Sequence, residues 1–179
     1  MINHKHKFAF VHIPRTGGTS VECFFEPTLC DKFYFPTKHR THAKFIERYP
    51  EYFSFSFVRN PWDRLLSFYI KCGGSTDSVV DFKKWLSMYP YNTRHSMSMS
   101  DFILNRSNQP IVDFIGRYER LDDDFGSVCD KLGISPSKLP CLNSTEHPNY
   151  VDYYDEEARH LVGCVCSRDI EVFNYEFGH

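Results

Sequence analysis

The sequence has no C-x-x-C pair, no apolar run that approaches a membrane span, no internal repeat and almost no net charge. Each absence excludes a class. The seven cysteines (23, 30, 72, 129, 141, 164 and 166) are odd in number and lack paired spacing, which argues against a disulfide framework and a zinc knuckle. They read as reduced, partly buried thiols, with Cys164 and Cys166 two apart on a predicted helix and so on different faces. The apolar run Phe8 to Ile13 behind the basic start is too short for a signal segment, so a cytoplasmic location and no membrane span are expected. Twenty-one Lys and Arg against 23 Asp and Glu leave a charge of -2, which excludes a surface that is one large nucleic-acid footprint. Any anion must be held locally.

What is present suits a globular domain. With 179 residues, 41% hydrophobic and 25% charged, the chain reads as a single domain over 1–179, long enough to bury a sheet on both faces. Three short apolar runs read as buried strands: Lys7 to Ile13, Phe53 to Val58 and Ile111 to Tyr118. A helix signal follows each. Val21 to Phe25 follow the first; Asn60 as cap and Pro61 at the first helical position follow the second; Asp122, Asp123 and Asp124 open a helix that Gly133 stops after the third. Strands alternating with helices predict an α/β domain of three layers, P-loop-like, with a central parallel sheet flanked by helices. A last packing helix is predicted from about Asp155 to Asp169, and Gly73 to Pro110 reads as an insertion with one helical pattern around Val79 to Met88.

Two loops carry the chemistry. Ile13-Pro14-Arg15-Thr16-Gly17-Gly18-Thr19-Ser20 joins a strand to a helix, and its adjacent glycines allow a sharp turn and close backbone approach to a ligand. Thr16, Thr19 and Ser20 add hydroxyls and Arg15 a charged fork of donors, so the whole loop donates to an anion. Neither G-x-x-x-x-G-K-[ST] nor G-x-G-x-x-G occurs here. A plain glycine turn with a helix cap would account for Gly17, Gly18 and Thr19 but leaves Arg15 unexplained. The second loop, Arg59-Asn60-Pro61-Trp62-Asp63-Arg64-Leu65-Leu66-Ser67, starts at the carboxyl end of a strand, where open parallel sheets bind ligands. Ser67 lies eight residues beyond Arg59, so the two meet only if Arg59 folds back beside the helix or the first residues are not helical. Arg64 reads as a surface ion-pair partner of Asp63 or a Glu.

In this order the two loops resemble those of sulfotransferases that use 3′-phosphoadenosine 5′-phosphosulfate, especially the carbohydrate branch that includes the heparan sulfate 2-O-sulfotransferases. The resemblance runs on through Phe114 to Leu121 and Asp169 to Phe177, nearly the whole chain. It implies that Pro14 to Ser20 hold the 5′-phosphosulfate, that Arg59 with Ser67 hold the 3′-phosphate, and that adenosine 3′,5′-bisphosphate is the product. Arg15 stands where that family usually has lysine; it keeps the charge but not the shape.

Sulfuryl transfer to an alcohol needs a base, and Lys38-His39-Arg40-Thr41-His42 ahead of the Arg59 strand offers two histidines. By its position His39 matches the base of the resembling enzymes, with His42 the alternative. His12, on the first strand, is expected to pack or hydrogen-bond inside the sheet. Asn143, Ser144 and Thr145 match a segment that closes over the nucleotide in the resembling enzymes. No metal is expected, because fixed donors and arginines suit a sulfuryl group, which carries less negative charge than a phosphoryl group. The acceptor implied is a hydroxyl of a saccharide; five Lys or Arg between Lys32 and Arg48 fit an acidic saccharide or simply a solvated helix face. The insertion, with Arg94, His95 and Asp101, is expected to shape the acceptor cleft. Two other readings stay open: a small nucleotide kinase with a degenerate phosphate loop, and a nucleotide-binding module without turnover.

Overall fold

A computed structural model of the chain describes residues 1–27, 43–92, 98–135, 138–140 and 148–179, with the backbone alone at 43–45 and 89–92. The chain divides into two compact units, Met1–Val58 with Asp101–Asn143, and Arg59–Ser100 with Ser144–His179.

The first unit holds a four-stranded sheet in the order β1 (Ile2–Asn3), β2 (Phe8–Val11), β3 (Phe53–Val58), β4 (Phe114–Arg117). Strands β2, β3 and β4 are parallel, with Phe10 beside Phe55 and Phe55 beside Phe114. Alternation sends Phe8, Phe10, Phe55 and Phe57 to one face. There they pack with Val21 of α1 (Gly18–Phe25) and with Phe125, Val128 and Cys129 of α6 (Leu121–Leu132). The opposite face is small and also buried: Ser56 Oγ donates to Val11 O at 2.8 Å, and Ser54 gives both its amide and its hydroxyl to Asp113 Oδ2. These bonds let serines sit inside a sheet without an unmet polar group.

The expected sheet is parallel, and the observed one is mixed. Its β1 is an antiparallel edge strand, Ile2 opposite Ala9, formed as the basic start doubles back through Lys7 in the left-handed region and a bond from His6 N to Asn3 Oδ1. Two residues carry no readable periodicity, so this strand left no signal. The sheet flanked by helices is nonetheless the α/β class expected. The ladder of β4 is shorter than the run Ile111 to Tyr118 because Ile111 N donates to Ile103 O and Asp113 N to Ser54 O. The same unit contains α2 (Ala43–Arg48), and α5 (Ser100–Ile103) leads into its later half. Asp122 to Asp124 load the first turn of α6, and Gly133 ends it with φ 66°.

The second unit is helical. In it α3 (Pro61–Lys71), α4 (Val79–Asn92), α7 (Tyr150–Tyr153), α8 (Glu156–Val165) and α9 (Ser167–Phe173) bury Trp62, Leu65, Leu66, Tyr69, Phe82, Leu86, Ala158, Val162 and Cys166. The single helix predicted from Asp155 to Asp169 is two helices meeting at Cys166, whose ψ of 17° leaves the helical range. The spacing of Ala158 and Val162 fits the buried face of α8, but Val165, expected on that face, is 40% exposed, and Asp169 turns inward and accepts backbone amides. As expected, Cys164 is exposed and Cys166 buried, and the cysteines among the described residues are free thiols. Among the described residues no helix is long and apolar enough to cross a membrane.

Candidate active site: two anion loops

The first loop leaves β2 at Val11 and turns through Pro14–Gly17 into α1. The turn is held from within: Thr16 is fully buried and its Oγ1 donates to Ile13 O at 2.9 Å. That hydroxyl proton is therefore committed within the turn. Burial alternates along the loop, with Thr16, Gly18 and Ser20 inside and Arg15, Gly17 and Thr19 half-buried at the rim. Two residues lie in the left-handed region, Gly17 at φ 82° and Arg15 at φ 68°. For Gly17 this is free; for Arg15 it costs roughly 1 to 3 kcal/mol, a strain typical of residues held for a ligand.

No described side chain caps α1. The amides of Ser20 and Val21 both bond Gly17 O, at 3.0 and 3.3 Å, so the first amides of the helix, Gly18 and Thr19, precede the intrahelical ladder. Beneath them lies His12. Its Nδ1 is 3.1 Å from Glu22 Oε2, both side chains are buried, and its ring stacks on Phe10. A Cβ at position 18 would lie 2.3 Å from His12 Cδ2 and 2.5 Å from Nε2. Gly18 is thus required by its neighbour, and His12, buried and paired with Glu22 as expected, also lies against the start of α1. Gly18→Ala should cost about 1 to 3 kcal/mol by overpacking, read as a lower thermal midpoint, and His12→Ala in the same chain should recover part of it. A Gly18→Ala chain as stable as wild type would mean the ring swings clear.

The second loop begins where β3 ends. Asn60 caps α3, its Oδ1 accepting Trp62 N at 3.1 Å, and Pro61 takes the first helical position, as the sequence predicts. Arg59 folds back along the helix: Nε and Nη2 both donate to Asp63 Oδ2, at 2.8 and 2.7 Å. Ser67 stands one further turn along the face of α3 that carries Asp63, and Arg59, which precedes the Asn60 cap, reaches that face through its side chain. Arg59 and Ser67 are 5% and 1% exposed, which makes Arg59 a buried cation held by its pair rather than a solvated one.

Arg64 departs from expectation. It is 4% exposed and is no surface residue, and Asp63 pairs with Arg59. The Arg64 charge acts on Cys166, opposing the burial that pushes that thiol up to about 12.

His39, His42, Asn143, Ser144 and Thr145 lie outside the described residues, as do Arg94 and His95. Among the described residues no group of three or more His, Cys, Asp or Glu could hold a metal ion. A cavity of about 520 Å³ on α8 is lined by Trp62, Glu156, Arg159, His160, Gly163 and Cys164, and no predicted site residue lines it.

The sheet flanked by helices places the chain in the α/β class, with a glycine turn into a helix start in the first unit and a buried arginine paired to Asp63 at the head of the second. Residues 1–176 match the Sulfotransferase family, and the chain belongs to that family. It is similar to an uncharacterized protein of Archaeoglobus fulgidus, 30% identical over 101 residues that span 55% of this chain and 82% of that protein. No solved structure gives a significant match.

Proposed function

We propose that this sulfotransferase moves the sulfuryl group of 3′-phosphoadenosine 5′-phosphosulfate to a hydroxyl of a saccharide, with residues 1–179 serving one reaction. The observation that carries the reading is the first loop: a charged side chain held in the left-handed region at Arg15, ahead of a helix start with no described side-chain cap. Such a loop suits a bridging oxygen on which charge develops. Family membership favours sulfuryl over phosphoryl transfer.

In this reading Pro14 to Ser20 receive the 5′-phosphosulfate, through the amides of Gly18 and Thr19 and the Arg15 guanidinium. Arg59, already oriented by Asp63, and Ser67 receive the 3′-phosphate. The acceptor oxygen attacks sulfur in line as the bond from sulfur to the bridging oxygen breaks. The acceptor proton passes to the imidazole of His39, with His42 as the alternative base, and adenosine 3′,5′-bisphosphate departs with its new negative charge beside Arg15. Asn143, Ser144 and Thr145 would close over the nucleotide. No step calls for a metal.

The test is calorimetric. Adenosine 3′,5′-bisphosphate should bind far more tightly than 5′-AMP, because each charge-assisted contact to the 3′-phosphate contributes about 1.5 to 3 kcal/mol, and Arg59→Ala should erase most of that preference. Equal affinity for the two nucleotides in the wild type would sink the assignment. A sulfate-transfer assay separates turnover from mere binding.

A further inference from the structure

We infer that Asp169, on α9, is a positioning residue for Arg59 and acts through Met99; the inference rests on the reading of Arg59 as a 3′-phosphate residue. Asp169 is fully buried. Its carboxylate accepts the amides of Met99 at 2.7 Å and Ser100 at 2.9 Å, and the Ser98 hydroxyl as well. The Ser98 and Ser100 hydroxyls are themselves 2.8 Å apart. Met99 is also fully buried, and its Sδ accepts the backbone N–H of Arg59 at 3.4 Å.

The chemistry of these links makes the order of dependence clear. Burying a carboxylate is costly unless donors satisfy it, and here two backbone amides and a hydroxyl fix three consecutive residues, 98 to 100, against one side chain. An apolar residue would fill the joint between α8 and α9 as well, but it would not orient that backbone. A thioether is a weak acceptor on a flexible stem, so Met99 can hold the Arg59 amide only if its own backbone is held. Arg59 is the residue before the Asn60 cap, and the orientation of its amide sets the direction in which its side chain leaves toward Asp63.

A second brace reaches the same turn from beyond α9. The Asn60 amide donates to Glu176 O and His179 O, each at 2.9 Å, while its oxygen serves as the α3 cap. Residues after Cys166 therefore hold both Arg59 and Asn60.

The test compares adenosine 3′,5′-bisphosphate and 5′-AMP by calorimetry on the full chain, with thermal midpoints measured beside them. Asp169→Asn keeps the shape but turns one acceptor into a donor facing a backbone N–H. We expect it to leave 5′-AMP affinity in place and to lower the preference for the bisphosphate about tenfold. In an Arg59→Ala background the same change should have no further effect on that preference, the mark of residues acting as one unit. Met99→Leu, which keeps volume and removes the sulfur acceptor, should move the preference the same way with a midpoint near wild type. A folded Asp169→Asn chain with full preference, or losses that add to those of Arg59→Ala, would overturn the inference. If Asp169→Asn does not fold, Met99→Leu and Ser98→Ala decide it, and full preference in both overturns it. If Arg59→Ala itself keeps the preference, the reading beneath the inference fails and takes the inference with it; loss in Arg59→Ala without loss in Asp169→Asn overturns the inference alone.

Discussion

His39→Ala is expected to lower sulfate transfer by about 10² to 10⁴-fold, the contribution of a positioned general base, with nucleotide affinity and thermal midpoint unchanged. The proposed role of His39 is on the acceptor hydroxyl and on neither phosphate, which is why binding and turnover should separate. The pH profile carries a second signature. A histidine base works as neutral imidazole, so wild-type turnover should fall as pH drops through its pKa, about 6.5 when unperturbed, and the variant should lack that limb. His42→Ala is the control, three residues away. If His39→Ala is fully active while His42→Ala is not, the base is His42; if both are active, the proton leaves by another route and the match of this interval to the family fails.

How far the sequence carried the fold depended on how local the cause was. Strand β3 was legible to the residue, and so were the Asn60 cap, Pro61 at the helix start and the Gly133 stop, because each depends on a side chain and its immediate neighbours. The edge strand β1 was not, since its pairing is long in space and short in sequence. Nor was the break at Cys166, because the reason Asp169 leaves the helical stripe is a set of amides seventy residues earlier in the chain. The site divides in the same way. The motif of the first loop could be read, but not the left-handed Arg15 or the histidine and glutamate that support Gly18, because backbone angles and burial are properties of the folded turn. For the second loop the motif named Arg59 and Ser67, and the structure supplied the residue between them, Asp63, which turns an arginine at a strand end back along α3.

Arg15 offers the sharpest test of the transfer step, because its charge and its backbone can be changed separately. Arg15→Ala should lower turnover about 10² to 10³-fold, the usual cost of removing a donor aimed at developing charge, and should weaken adenosine 3′,5′-bisphosphate binding much less. Arg15→Lys restores the residue usual in the family, keeps a cation near the bridging oxygen and should retain substantial activity. Arg15→Gly removes the side chain and also the steric penalty at φ 68°. It should therefore be as inactive as Arg15→Ala while gaining roughly 1 kcal/mol in stability over it, seen as a higher thermal midpoint. Three variants then give three patterns: activity follows the charge, and stability follows the backbone. Normal turnover in Arg15→Ala would return the loop to a glycine turn before a helix, and the strain at Arg15 would need a cause other than the leaving group.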